Sequence, residues 1–303
     1  MKLLGSASLL CLTALAGSGC RQILVQAAER ADSATVAARE ARLEANLARP
    51  DSGSERDRPL ARWIMPPGLS EISGLAFTPD QRLFAHDDER GAVSEIDYRH
   101  GVVLKQFLVG IPHTVHADFE GITVAGDKVF LLASNGDLYE FKEGRAGERV
   151  NYTYHDTHLA KECEFEGVTY DAAINSLLFA CKHVFSKQLK NSLVIYRWKL
   201  VKDDGPRLSM LTVPIDQAAG SNGWKTIHPS DITIDPLTGN YVLIASQQKA
   251  LIEMTPAGEV LLSRRLPGDH PMAEGVALTR DSLMLISDEA VSGPAVLTLY
   301  RRP

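Results

Sequence analysis

The chain has 303 residues, 45% of them apolar and 23% charged, with a net charge of −6 from 32 basic and 38 acidic residues. That balance excludes a disordered chain, a collagen-like repeat and a small disulfide scaffold. It also argues against nucleic-acid binding, because there is no excess of Lys and Arg to neutralise phosphates.

Residues 1–20 read as an export signal. Lys2 precedes an apolar run from Leu3 to Ala16, and small residues follow. The run is about 14 residues, short of the roughly 20 that a spanning helix needs. The ending Leu15-Ala16-Gly17-Ser18-Gly19-Cys20 resembles a bacterial lipobox, with Gly17 where Leu is usual. Cleavage before Cys20 would leave a lipidated N-terminus that ties the protein to a membrane. The alternative is an ordinary signal peptide with a chance cysteine. Either way the mature chain is expected in the bacterial cell envelope, as a periplasmic-side lipoprotein or a secreted periplasmic protein. Cys11 is lost with the signal, so Cys163 and Cys181 remain as an even pair in an oxidising compartment.

Residues 21–59 read as a helical spacer and linker. Residues 22–48 contain neither Gly nor Pro and are rich in Ala, Glu, Arg and Leu. Ala27, Ala31, Ala34, Ala38, Ala41, Ala45 and Ala48 recur with alternating steps of four and three. That period fits a seam between two helices, and it fits equally a lone Ala-rich helix. Pro50 ends the segment, and the polar run 51–58 is a linker.

Residues 60–303 form an internal repeat of short apolar runs separated by turn residues. One motif recurs five times: Glu71-Ile-Ser-Gly74, Asp118-Phe-Glu-Gly121, Glu164-Phe-Glu-Gly167, His228-Pro-Ser-Asp231 and Met272-Ala-Glu-Gly275. The steps between the fourth positions are 47, 46, 64 and 44 residues. Each motif opens a strand, and two or three further strands follow, among them residues 149–154 as the fourth strand of the second unit. The last unit lacks a fourth strand, which Leu60–Met65 can supply. Four antiparallel strands per repeat predict an all-β fold, a five-bladed β-propeller closed by its own N-terminal strand. Residues 214–227 lengthen one step without offering another hairpin.

The five motifs, together with the endings Phe84-Ala-His-Asp-Asp-Glu89 and Ile286-Ser-Asp-Glu289, resemble the SdiA-regulated family, the YjiK/CarP-like propellers of bacterial envelopes. The resemblance covers about residues 62–301. It implies a five-bladed propeller, an envelope location and a bound calcium ion, without a settled biochemical activity. A weaker similarity runs to NHL-repeat and gluconolactonase-like propellers.

The motif also carries chemistry of its own. The residue before each aligned Gly or Asp is Ser73, Glu120, Glu166, Ser230 or Glu274, and two residues earlier stand Glu71, Asp118, Glu164, His228 and Met272. Carboxylates crowded around one axis must take up protons or bind a cation, and Ca²⁺ suits oxygen ligands. Glu120, Glu166 and Glu274 are the expected ligands, with Asp231 as an extra one. A purely structural role, capping backbone amides between blades, is the competing reading. The second strands end on the polar residues Asp87, Asn135, Lys182, Gln247 and Asp288, which are expected to rim the same mouth. His113 and His116 have no zinc-site spacing.

Cys163 and Cys181 bracket the first hairpin of the third unit. A turn centred near Ala172 would set them opposite one another within disulfide range, and a one-residue slip would leave free thiols. No Gly-x-Ser-x-Gly, P-loop or His-Glu-x-x-His motif is present, and no catalytic set can be assembled from the sequence. Three functions remain open: a calcium-binding interaction or ion-responsive module; a metal-dependent hydrolase of esters, lactones or phosphates; and a passive structural lipoprotein.

Overall fold

Each repeat motif opens the innermost strand of one blade in the computed structural model, which describes residues 33–50, 57–200, 206–291 and 293–302. The proposed signal, Cys20, Ala27, Ala31 and much of the linker lie outside the described residues.

The architecture is a five-bladed β-propeller. Blade one comprises Ile72–Phe77, Leu83–Asp87, Ala92–Asp97 and Val102–Val109. Blade two comprises Phe119–Ala125, Lys128–Ala133, Leu138–Phe141 and Tyr152–His155. Blade three contains Cys163–Asp171, Ser176–Val184, Ser192–Lys199 and Leu208–Pro214. Blade four contains Asp231–Ile234, Tyr241–Ala245, Ala250–Met254 and Val260–Arg265. Blade five is built from Ala273–Leu278, Leu283–Asp288 and Val296–Arg301, with Ala61–Ile64 as its outer strand.

That outer strand closes the ring. Ala61 pairs with Leu299 and Ile64 with Val296. The N–H groups of Leu60 and Met65 extend the ladder to the carbonyls of Leu299 and Ala295 at 2.8 and 2.9 Å. Side chains alternate along each strand, so every blade is apolar on both faces and buries both against its neighbours. Leu75, Trp63, Leu285 and Leu297 fill the seam between blades five and one. Phe84, Phe107, Phe119 and Leu131 fill the next seam.

Three segments depart from the sequence expectation. Residues 149–154 are not one strand. Arg149–Val150 adds in parallel to the outer strand of blade one, and only Tyr152–His155 joins blade two. The chain crosses between blades there, because Val150 packs into the seam around Phe107. Residues 214–227 contain a helical turn, Ile215–Ala219, whose buried Ile215 and Ala218 cover the edge of blade four. Ser263 Oγ fastens it by donating to the Ala218 carbonyl at 2.7 Å.

The third departure is the spacer helix Ser33–Leu47, which docks on the propeller. Leu43 is fully buried in the seam between blades five and one. Asn46 Nδ2 donates to the Leu60 carbonyl at 2.7 Å, and Arg301 caps the helix end by donating to the carbonyls of Leu47 and Arg49. Ala34, Ala38, Ala41, Ala45 and Ala48 all lie on the exposed side.

Candidate metal centre at the carboxylate mouth

Four of the five inner strands break register at the motif. The shifts fall between Ile72 and Leu75, Phe119 and Gly121, Phe165 and Val168, and Ala273 and Gly275. A bulge leaves the extra residue off the ladder and re-aims its side chain. The motif residue lifted this way is Ser73, Glu120, Glu166 or Glu274. Gly167 must be glycine, since its φ is +89° and a Cβ would come within 2.6 Å of Asp231 Cα.

Among the described residues, the carboxylates whose oxygens all lie within 4.8 Å of one another are Glu71, Asp88 and Glu289. Glu71 leads into blade one, while Asp88 and Glu289 follow the second strands of blades one and five. Burial, and then the charges of Glu71, Asp87 and Glu89, push the Asp88 carboxyl up to about 6. Burial and a hydrogen bond to the Glu71 carboxyl raise Glu289. Asp88 Oδ1 is buried without a hydrogen-bond partner. Three half-buried carboxylates that repel one another, with one orphaned oxygen, fit a hard cation: Ca²⁺ takes six to eight oxygens in loose geometry.

The expected ligand set is different and does not assemble. Glu120, Glu166 and Glu274 form no group with oxygens within 4.8 Å. The Lys182 ammonium stands among them instead. It is paired with Glu166, lies 3.9 Å from Glu164 Oε1, and draws down both Glu120 and Glu274. Even so, burial and Asp118 push Glu120 up to about 8, and burial, opposed by Lys182 and reinforced by Asp288, puts Glu274 at about 7. The channel therefore carries its own tethered cation where a metal was expected.

Asp231, the expected extra ligand, is committed to backbone groups. It is buried in the channel, with its Oδ1 accepting from the Ile232 N–H and its Oδ2 from the Val276 N–H, both at 2.8 Å. Burial raises it well above the usual carboxylate range. Ser230 Oγ is committed as well, donating to the Ala273 carbonyl at 2.6 Å, and Ser73 is buried.

The strand-end residues divide. Asp87 and Asp288 are engaged by local partners. Arg90 Nε and the N–H groups of Glu89 and Arg90 donate to Asp87. His270 Nδ1 and the Met272 N–H donate to Asp288 at 2.6 and 3.2 Å, and His270 Nε2 lies 2.9 Å from the Tyr300 hydroxyl. Asn135 folds onto Asp137, and Gln247 is exposed. The cluster is made by the residues one position further on, Asp88 and Glu289. Strand alternation is the signal: the last ladder residue faces one way and its successor the other. His86, also missed, is a buried acceptor for the Gly74 N–H at 3.0 Å, and burial lowers it to about 4.

Cys163 and Cys181 are disulfide-bonded with Cα atoms 5.9 Å apart, though not by the expected register. Tyr170 pairs with Leu177 and Asp171 with Ser176, so the turn lies later than Ala172. Cys181 stands opposite Phe165, and the bulge at Glu166 and Gly167 restores its reach to Cys163. The bond thus clamps the bulge that presents Glu166 to Lys182.

Likeness to solved structures confirms the fold. Aldose sugar dehydrogenase from Streptomyces coelicolor, in its PQQ-bound form, superposes with a TM-score of 0.52 at 11% identity, covering 79% of this chain and 98% of that one. Glutaminyl cyclase from Myxococcus xanthus gives a TM-score of 0.52 at 12% identity, covering 80% and 94%. No curated relative matches the chain by sequence. A family model described as SdiA-regulated matches residues 65–290, and with its motifs found on the inner strands of a five-bladed propeller the chain belongs to the SdiA-regulated family.

Proposed function

We propose that this protein is an exported calcium-binding propeller that acts as an ion-responsive interaction module in the cell envelope. The observation that carries the reading is the Glu71, Asp88 and Glu289 group with its buried, unpartnered Asp88 oxygen. When bound, calcium would neutralise the three carboxylates and stabilise the folded ring by mass action. Glu71 and Asp88 belong to blade one and Glu289 to blade five, so the ion would also join the two blades at the ring closure. The disulfide accords with an oxidising compartment. Anchoring through Cys20 completes the proposal on the sequence side.

One observation favours a second reading, a metal-dependent hydrolase. Glu289 and Asp288 also line a cleft of about 360 Å³ that runs along Arg62, Ile64 and Val291. A metal with open positions facing that cleft would polarise an ester, lactone or phosphate oxygen and activate water.

Calorimetric titration of the metal-free full chain with calcium tests the primary reading. One saturable site is expected, and absence of binding up to millimolar calcium would remove it. Hydrolysis of lactone and phosphate ester probes only in the presence of the ion would select the second reading.

A further inference from the structure

The helix Ser33–Leu47 meets the turn between the third and fourth strands of blade one, and His100 stands at the junction. Both nitrogens of its ring face carboxylates, and the two carboxylates belong to different elements. Nδ1 lies 2.6 Å from Oδ2 of Asp97, at the end of the third strand, and Nε2 is paired with Oε2 of Glu40 on the helix. A neutral imidazole has one N–H, so it can donate to only one of them and must turn a lone pair toward the other. An imidazolium donates to both. The surrounding charges favour that form. Arg99 on the turn is paired with Glu44, lies 3.5 Å from Glu40 Oε1 and reaches Asp281 of blade five at 3.8 Å. Arg39 on the helix donates to the carbonyls of His100 and Gly101 at 2.6 and 3.2 Å. Glu40, Glu44, Asp97 and Asp281 thus stand against Arg39 and Arg99, and a proton on His100 brings the junction closer to neutrality. The His100 side chain is 20% exposed, so water screens these pairs only in part. Burial lowers its pKa, but Asp97 and then Glu40 outweigh burial and raise it above the ordinary histidine value.

We propose that His100 is a proton switch for the docking of the N-terminal helix: protonated, it bridges Asp97 and Glu40, and deprotonated, it repels one of them. A pKa raised by docking means that docking is firmest below the ordinary histidine value of about 6.5. It weakens as pH rises through the raised value. The other attachments are the buried Leu43 side chain, the Asn46 bond to the Leu60 carbonyl and the Arg301 bonds to the helix end. None of these titrates near neutrality, so losing the bridge loosens the helix without removing every hold on it. For a chain anchored through Cys20, the switch would hold the propeller on a shorter tether in acid. It shares no residue with the calcium reading and does not depend on it.

The test takes two readouts from the full chain. One is the titration of the His100 ring by NMR. The other is hydrogen-exchange protection of the helix amides from Glu40 to Leu47, corrected for intrinsic exchange rates. It is expressed relative to the amides of Ile195 and Leu243 in blades three and four, which report the ring as a whole. The ring should titrate above about 6.5. Across that titration the relative protection of the helix should fall by about five- to tenfold, the scale of one charge-assisted hydrogen bond. His100→Gln should remove the pH dependence. Glu40→Gln should remove it in a different way: its amide can donate to the bare ring nitrogen, so the helix should stay protected at high pH. The proposal is overturned if the ring titrates at or below the ordinary histidine value, if helix protection follows the blades at every pH, or if Glu40→Gln keeps the loss at high pH.

Discussion

The Val276 N–H donates to Asp231 Oδ2 at 2.8 Å, so one carboxyl group of blade four satisfies the free inner edge of blade five. Its other oxygen accepts from the Ile232 N–H, and the backbone of Leu75 in blade one also lies against it. Four blades have glycine at this position, where a Cβ would come within 2.8 Å or less of a neighbouring group. In blade four, aspartate stands there and pairs a backbone group of its own strand and one of blade five. Asp231→Ala would orphan two buried N–H groups, at about 1–3 kcal/mol each. Denaturant melts should show a loss of roughly 2–5 kcal/mol, with Asp231→Asn losing less. A loss under about 0.5 kcal/mol would mean the plug is dispensable.

Leu43 makes the N-terminal helix part of the domain. From the sequence, residues 21–59 form a separable spacer, but this side chain is fully buried beside Trp63 and Leu297. Leu43→Ala should cost about 2–4 kcal/mol. Removing residues 1–58 should lower the melting temperature and expose the seam to dye. If the truncated and full-length forms melt together, the docking is marginal.

Stability of the metal-free form should fall as pH rises. Glu120, Glu274 and Asp88 have folded pKa values raised to about 8, 7 and 6, so the folded state holds more protons than the unfolded one across that window. Their contribution is complete below the ordinary carboxylate range and is lost through pH 6 to 8. His86 acts oppositely: lowered to about 4, it stabilises above the ordinary histidine value and is lost as pH falls toward 4. The carboxylates outnumber it. In chelator, the melting temperature should drop between about pH 5 and 8, and saturating calcium should flatten or reverse the trend. A metal-free melting temperature that rises over this interval would contradict these assignments.

Lys182 should decide how many ions the mouth accepts. Lys182→Gln removes the ammonium that neutralises Glu166 and draws down Glu120 and Glu274. Those groups must then take up protons or a second cation. Calorimetry should register an additional weak calcium site, and an unchanged stoichiometry would show that the glutamates simply protonate.

Blade number, motif position and ring closure by Leu60–Met65 were legible because a propeller repeats the same strand pattern, and an outer strand missing at one terminus must come from the other. The docking of Leu43 was not legible, since alanine dominates the helix and its periodicity draws attention to the side that faces solvent. The site was legible only as a region. The pattern located carboxylates at the right end of the inner strands, but bulges reset which side chain emerges there. Glu166 is neutralised within its own hairpin by Lys182, while Asp88 and Glu289 converge across the seam of blades one and five. A contact between residues so far apart in sequence leaves no local trace. The cysteine pair was readable because a bulge restored the reach that the simple register had miscounted.

The central claim is that the cation is held by Glu71, Asp88 and Glu289, not by the glutamates around Lys182. Calorimetric calcium titration of the full chain with Asp88→Asn and Glu289→Gln, beside Glu166→Gln and Glu274→Gln, tests it most directly. Loss of a charged oxygen ligand should weaken binding by at least about tenfold in the first two variants, and binding should stay within about threefold of the parent in the others. Binding abolished by Glu166→Gln and untouched by Asp88→Asn would contradict the account.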